Sequence, residues 1–69
     1  MNLTEKEKQI KHLKTIIESE DKTVWNAHKH NSADKLVEIE PTIETRDYLW
    51  KRFNKTGDYY YAVASKLLL

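Results

Sequence analysis

Cysteine is absent from the 69 residues, and glycine and proline occur once each, at Gly57 and Pro41. The first absence excludes disulfide staples, thiolate chemistry and every cysteine-ligated zinc site, and it suits a reducing compartment. The scarcity of glycine and proline leaves no flexible linker and few turn signals. Regular structure is therefore expected to fill most of the chain. Charge of one sign is also missing: Lys and Arg number 12 against 11 Asp and Glu, for a net charge of +1. No global field then steers the molecule toward nucleic acid or an anionic membrane. No apolar run approaches the ~20 residues that span a bilayer, and no signal-peptide stretch opens the sequence, so a cytoplasmic protein with no membrane contact is expected.

What is present is 39% hydrophobic and 33% charged, the composition of a folded chain rather than a disordered one. At 8.2 kDa it makes a single small domain, residues 1–69, near the lower limit for independent folding. Natural proteins of this size gain stability from disulfides, metals or association. Association, either a homo-oligomer or docking on a partner, is the expected route here.

Thr4 followed by Glu7 reads as a capping box that opens a first helix. Leu3, Ile10 and Ile17 recur every seven residues, with Leu13 on the same side, a narrow stripe like a coiled-coil seam. From Asp21 to Thr42 two readings stand. In one, a short helix covers about 22–30 and another starts at Ser32. In the other, 22–30 and 35–40 form a β-hairpin around Asn31-Ser32-Ala33-Asp34, a reading favoured locally by Val37 and Ile39 alternating with Glu38 and Glu40. Pro41 and Thr42 then suit the first turn and cap of a further helix. Ile43, Leu49, Trp50 and Phe53 share a face of that helix, and Gly57 is placed to end it in the left-handed conformation, with Asp58 capping a last helix. Tyr60, Val63, Ala64 and Leu67 are the expected inner stripe of the last helix. The fold class is thus mainly α, a small helical bundle with a C-terminal helical hairpin, with α+β as the alternative if 22–40 forms the β-hairpin.

The string Trp50-Lys51-Arg52-Phe53-Asn54-Lys55-Thr56-Gly57, followed by Tyr61 and Lys66, resembles the W-K-x-F-x-x-T-G hairpin of the short YqzL-like proteins of low-GC Gram-positive bacteria. The resemblance covers about residues 48–67 and implies a helical hairpin; no activity is established for that family. Heavy use of Lys, Ile and Asn also resembles the product of an AT-rich genome, such as a low-GC bacterium or one of its phages.

Catalytic chemistry finds no support in the residues. There is no nucleophile motif, no glycine-rich phosphate loop and no carboxylate pair in an evident cleft, so a non-enzyme without cofactor is expected. His28, His30 and Asp34 would share a face only if the β-hairpin formed, and no further ligand is announced, so no metal site is expected.

The aromatics are unevenly placed: Tyr48, Trp50, Phe53, Tyr59, Tyr60 and Tyr61 hold all of them except Trp25. Trp50, Phe53 and Tyr60 are explained as core. Tyr61 and Leu68, seven apart, define a second apolar edge, and Tyr48 lies with Lys51, Arg52 and Lys55 on a basic face. These six are the candidate partner-binding residues. They point to a small interaction module, an inhibitor, adaptor or assembly factor of the kind phages also encode, acting by helical docking or self-association. The alternative is a helix-turn-helix regulator of nucleic acid, for which the last helix offers few cations.

Overall fold

The computed structural model describes residues 3–66, and over that span the chain is four helices without a strand. The helices are α1 (Glu5–Ile17), α2 (Asn26–Ile39), α3 (Ile43–Thr56) and α4 (Tyr59–Lys66). They pair as two helical hairpins, α1 on α2 and α3 on α4, with α2 also packing on α3 and α4. The Cα atoms span 35 × 32 × 17 Å. The smallest extent matches two layers of helix at the usual ~8–10 Å axial spacing, so each layer keeps an outer face in water.

The helix starts follow local chemistry. The Thr4 hydroxyl accepts from the Glu7 backbone N–H at 3.1 Å, one half of the expected capping box, and the Glu7 carboxylate accepts from the Thr4 hydroxyl at 3.1 Å rather than from its backbone N–H. Thr42 Oγ1 accepts from the Thr45 N–H at 3.2 Å and starts α3. Between α3 and α4, Gly57 has φ 76 and donates its N–H to the Phe53 carbonyl at 2.7 Å. Asp58 Oδ1 then accepts from the Tyr60 N–H at 3.0 Å and begins α4. A Cβ at Gly57 would meet nothing within 4 Å, so a substitution there pays for backbone conformation alone. Gly57→Val is expected to cost about 1–2 kcal/mol, read from urea midpoints. An unchanged midpoint would show that the turn relaxes out of the left-handed region.

The 22–40 segment departs from both sequence readings. Neither the β-hairpin nor two short helices forms; a single helix, α2, runs from Asn26 to Ile39. The Asp21 carboxylate accepts from the Thr23 N–H and hydroxyl at 2.9 and 2.8 Å, which holds the preceding residues as a turn. Ser32 donates its hydroxyl to the His28 carbonyl at 2.9 Å, a bond available only on a helix. Ser32, Ala33 and Leu36 are buried, the three-to-four spacing of a helix face. Burying that face outweighs the strand-like alternation of Val37 and Ile39.

The core is Leu13, Ile17, Ala33, Leu36, Leu49, Tyr61 and Ala64, with Ile10, Tyr48, Phe53 and Tyr60 packed partly against it. The seam of α1 is confirmed at Leu13 and Ile17, while Leu3 stays 43% exposed. Both C-terminal helices are turned from the expected faces, α3 by about a quarter turn and α4 by about a third of a turn, with Leu49 and Ala64 buried as expected. On α3 the buried side holds Thr45 and Leu49, while Ile43 and Trp50 face water. On α4 it holds Tyr61, Ala62, Ala64 and Ser65, while Val63 is exposed. Small residues let α2 and α3 approach α4 closely enough to cover a wide arc of it. The expected core position Leu67 and the candidate Leu68 lie outside the described residues.

Candidate functional site

Tyr61, assigned from sequence to a free apolar edge, is 2% exposed and central to the core. Tyr61 is free only if α3 and α4 are taken alone; α2 covers it. Burial and the nearby Asp58 carboxylate raise the Tyr61 phenol above its ordinary value, against a smaller opposing effect of Arg52.

The basic face of Tyr48, Lys51, Arg52 and Lys55 is divided between solvent and the fold. Tyr48 packs against the core, and its hydroxyl donates to the Glu18 carboxylate at 2.7 Å. Lys14 lies 4.7 Å over its ring. Burial, then the Glu18 carboxylate, push its phenol above the ordinary range. Arg52 Nη2 reaches the Ile17 carbonyl at 3.5 Å, and Lys29 Nζ donates to the Ser19 carbonyl at 2.6 Å. Both cations thus meet carbonyls at the C-terminal end of α1, where the helix dipole favours positive charge. Glu18, Glu20, Lys29, Arg52 and Lys55 surround a cleft of ≈ 330 Å³ there. Two carboxylates and two helix C-termini there partly offset its cations, which makes it a poor phosphate cradle. Lys51 and Lys55 remain exposed.

The α2 helix separates the residues considered for metal. His28 is exposed, whereas His30 turns toward α4, and no group of three His, Asp or Glu side chains suited to a metal occurs among the described residues. His30 Nε2 instead lies 2.6 Å from Asp58 Oδ2. Its ring stacks on Tyr60 at 4.1 Å and meets the edge of Tyr61 at 5.8 Å. The Tyr60 hydroxyl bonds the Asp34 carboxylate, which raises the Tyr60 phenol above its ordinary value. These groups latch α2 onto the start of α4.

Burial alone would raise the Asp58 carboxyl, but hydrogen bonds from His30 and the Tyr60 N–H outweigh it, and the net value lies below the ordinary 3.8. A lowered folded value means that the stabilisation is fully present above 3.8 and is lost as pH falls through the folded value. Asp58→Asn keeps a capping oxygen without the charge and is expected to be about 1 kcal/mol less stable than wild type at neutral pH. That gap should close on acidification. A gap that stays constant through an acid titration of the urea midpoint would show the carboxylate unpaired in solution.

The surface that sequence reasoning missed lies on the outer side of α3 and α4 and includes Ile43, Trp50, Phe53 and Val63, all expected inside. Trp50 and Phe53 have ring centroids 5.5 Å apart, and Phe53 meets Tyr59 edge-on at 6.0 Å. Trp50 is 47% and Tyr59 61% exposed. Val63 and Lys66 continue the Tyr59 side of α4, with Lys66 Nζ 5.8 Å from the Tyr59 ring centroid. Ile43, one heptad before Trp50, extends the strip along α3. Beside Trp50 opens a cleft of ≈ 360 Å³ lined by Arg46, Asp47, Ser65 and Lys66. A signal for this surface was present in the sequence: α3 carries more large apolar residues than one buried arc can hold. Trp25 is 76% exposed at the N-cap of α2.

No family model, curated protein or solved structure matches this chain. The resemblance of about residues 48–67 to the YqzL-like hairpin therefore rests on the sequence string alone. No helix among the described residues is long and apolar enough to cross a membrane.

Proposed function

We propose that this chain is a non-enzymatic protein-interaction module, an inhibitor, adaptor or assembly factor, that docks on a larger protein through the outer face of α3 and α4. The observation that carries the reading is the unbroken ring contact Trp50, Phe53, Tyr59, in which the two outer rings face solvent and half-buried Phe53 ties them to the core. Scattered apolar residues on a surface are ordinary, whereas a contiguous aromatic strip is an interface feature, and aromatics are the commonest binding anchors. The engagement of Glu18, Asp34 and Asp58 by Tyr48, Tyr60 and His30 supports a structural rather than catalytic use of the polar groups. The lack of cysteine supports a reducing compartment such as the cytoplasm.

Self-association keeps only part of its sequence argument, because Ile17 and Tyr61 are covered within one chain while Leu3 stays exposed. The helix-turn-helix alternative is weakened by α4, whose described outer face offers Tyr59, Val63 and the single cation Lys66. Capture from a native-cell lysate with wild type, Trp50→Ala and Trp25→Ala tests the reading. The same protein should be retained by wild type and Trp25→Ala and lost from Trp50→Ala. Retention by all three variants, or salt-sensitive duplex binding by the purified chain, would overturn it.

A further inference from the structure

The strip is not purely apolar, and its charges say what kind of partner it fits. Arg46 and Lys66 line the cleft beside Trp50 from opposite helices, one from α3 and one from α4. The counter-charge is Asp47, whose Oδ1 lies 3.7 Å from Arg46 Nη2, with its side chain 60% exposed. That pair is long and solvated, so it neutralises the Arg46 guanidinium only in part. Lys66 sits by the Tyr59 ring, a contact that leaves its ammonium free to pair with an anion. The rim therefore keeps a positive excess around an apolar floor.

Resting on the docking reading above, we propose that this cleft and strip seat an acidic amphipathic helix of the partner. One large apolar side chain packs on Trp50, and a carboxylate one turn away pairs with Arg46 and Lys66. At ≈ 360 Å³ the cleft takes a side chain, while the strip continues from it through Phe53 and Tyr59 toward Val63. That run is suited to apolar anchors repeating every three or four residues of a helix. A second copy of this chain fits less well, because a two-fold contact through this face would double its positive excess, with only one Asp47 from each chain against Arg46 and Lys66. Single-stranded nucleic acid would find rings to stack on, but Asp47 lies among them and only two cations flank the cleft, too few to follow a phosphate backbone.

The test uses the full chain and two synthetic helix-forming peptides of about 18 residues. They share one Leu/Phe stripe and differ only in flanks of Glu or of Lys. Binding is followed by the two tryptophan indole N–H resonances, Trp25 serving as the internal reference. The Glu peptide is expected to shift the Trp50 resonance and leave Trp25 in place, and to bind about tenfold tighter than the Lys peptide. In the double variant Arg46→Glu with Lys66→Glu, whose fold is checked by circular dichroism, the preference should reverse. Equal binding of both peptides at Trp50 would overturn the acidic preference while leaving the docking face intact. Shifts confined to Trp25, or no binding of either peptide, would overturn the helix-seating proposal, and loss of lysate capture by Trp50→Ala would still support docking by another shape of partner. A Trp50 shift that grows with protein concentration alone would give the face to a second copy. A Trp50 shift with an oligothymidylate, absent with both peptides, would give it to nucleic acid.

Discussion

Tyr61→Ala should lose about 3–5 kcal/mol, the usual cost of truncating a buried aromatic side chain. A chain of this length has a total stability of roughly 3–10 kcal/mol, so the loss takes about a third of it or more. The reason is position: the ring is 2% exposed and is met edge-on by His30. Removing it leaves a cavity where α2 closes over the C-terminal hairpin. Tyr61→Phe retains the ring and should stay within about 1.5 kcal/mol of wild type. Urea denaturation followed by circular dichroism reads both variants. A cost below about 1 kcal/mol for Tyr61→Ala would return the ring to a surface edge, and self-association would regain the rest of its argument.

Trp50→Ala should show the opposite division of effects. About half of the Trp50 surface is already in water, so truncation should cost only about 1–2 kcal/mol of folding stability. Affinity for the partner should fall by about 2 kcal/mol or more, roughly 30-fold, as for a central aromatic anchor. Trp25 is still more exposed, at 76%, but stands outside the strip, and Trp25→Ala should change neither quantity much. Titration calorimetry with the captured partner separates the two tryptophans. Equal losses from both variants would mean that exposure alone, and not membership of the strip, governs binding.

These two residues also mark where sequence reasoning went astray. Tyr61 was read as surface and is core, and Trp50 was read as core and is half exposed. The cause is common to both. Periodicity identifies which residues share a helical face, but when a short helix carries two apolar faces it does not rank them. On α3, the expected face of Ile43, Leu49, Trp50 and Phe53 is the more hydrophobic, yet of these only Leu49 is fully buried, on an arc that it shares with Thr45. On α4, small Ala62, Ala64 and Ser65 look unimportant on any hydrophobicity scale. They form the packed side because two helices must come close there.

The local punctuation was legible because it depends on residues near in sequence. Thr4 with Glu7, Thr42 with Thr45, and Gly57 with Asp58 bring their hydrogen-bond partners within a few residues, so start and stop signals survive whatever the rest of the chain does. The all-helical class of the C-terminal half and the seam of α1 at Leu13 and Ile17 followed on the same grounds. Three things depended on tertiary contact. Residues 26–39 became one helix because Ala33 and Leu36 share a face against the core. His30 and Asp58, 28 residues apart, met only when α2 crossed the start of α4. The rotation of α3 and α4 about their own axes, which decides whether Trp50 or Tyr61 meets solvent, was set by where the second hairpin packs. Such an angle is a property of two surfaces in contact, and no pattern within either helix encodes it alone.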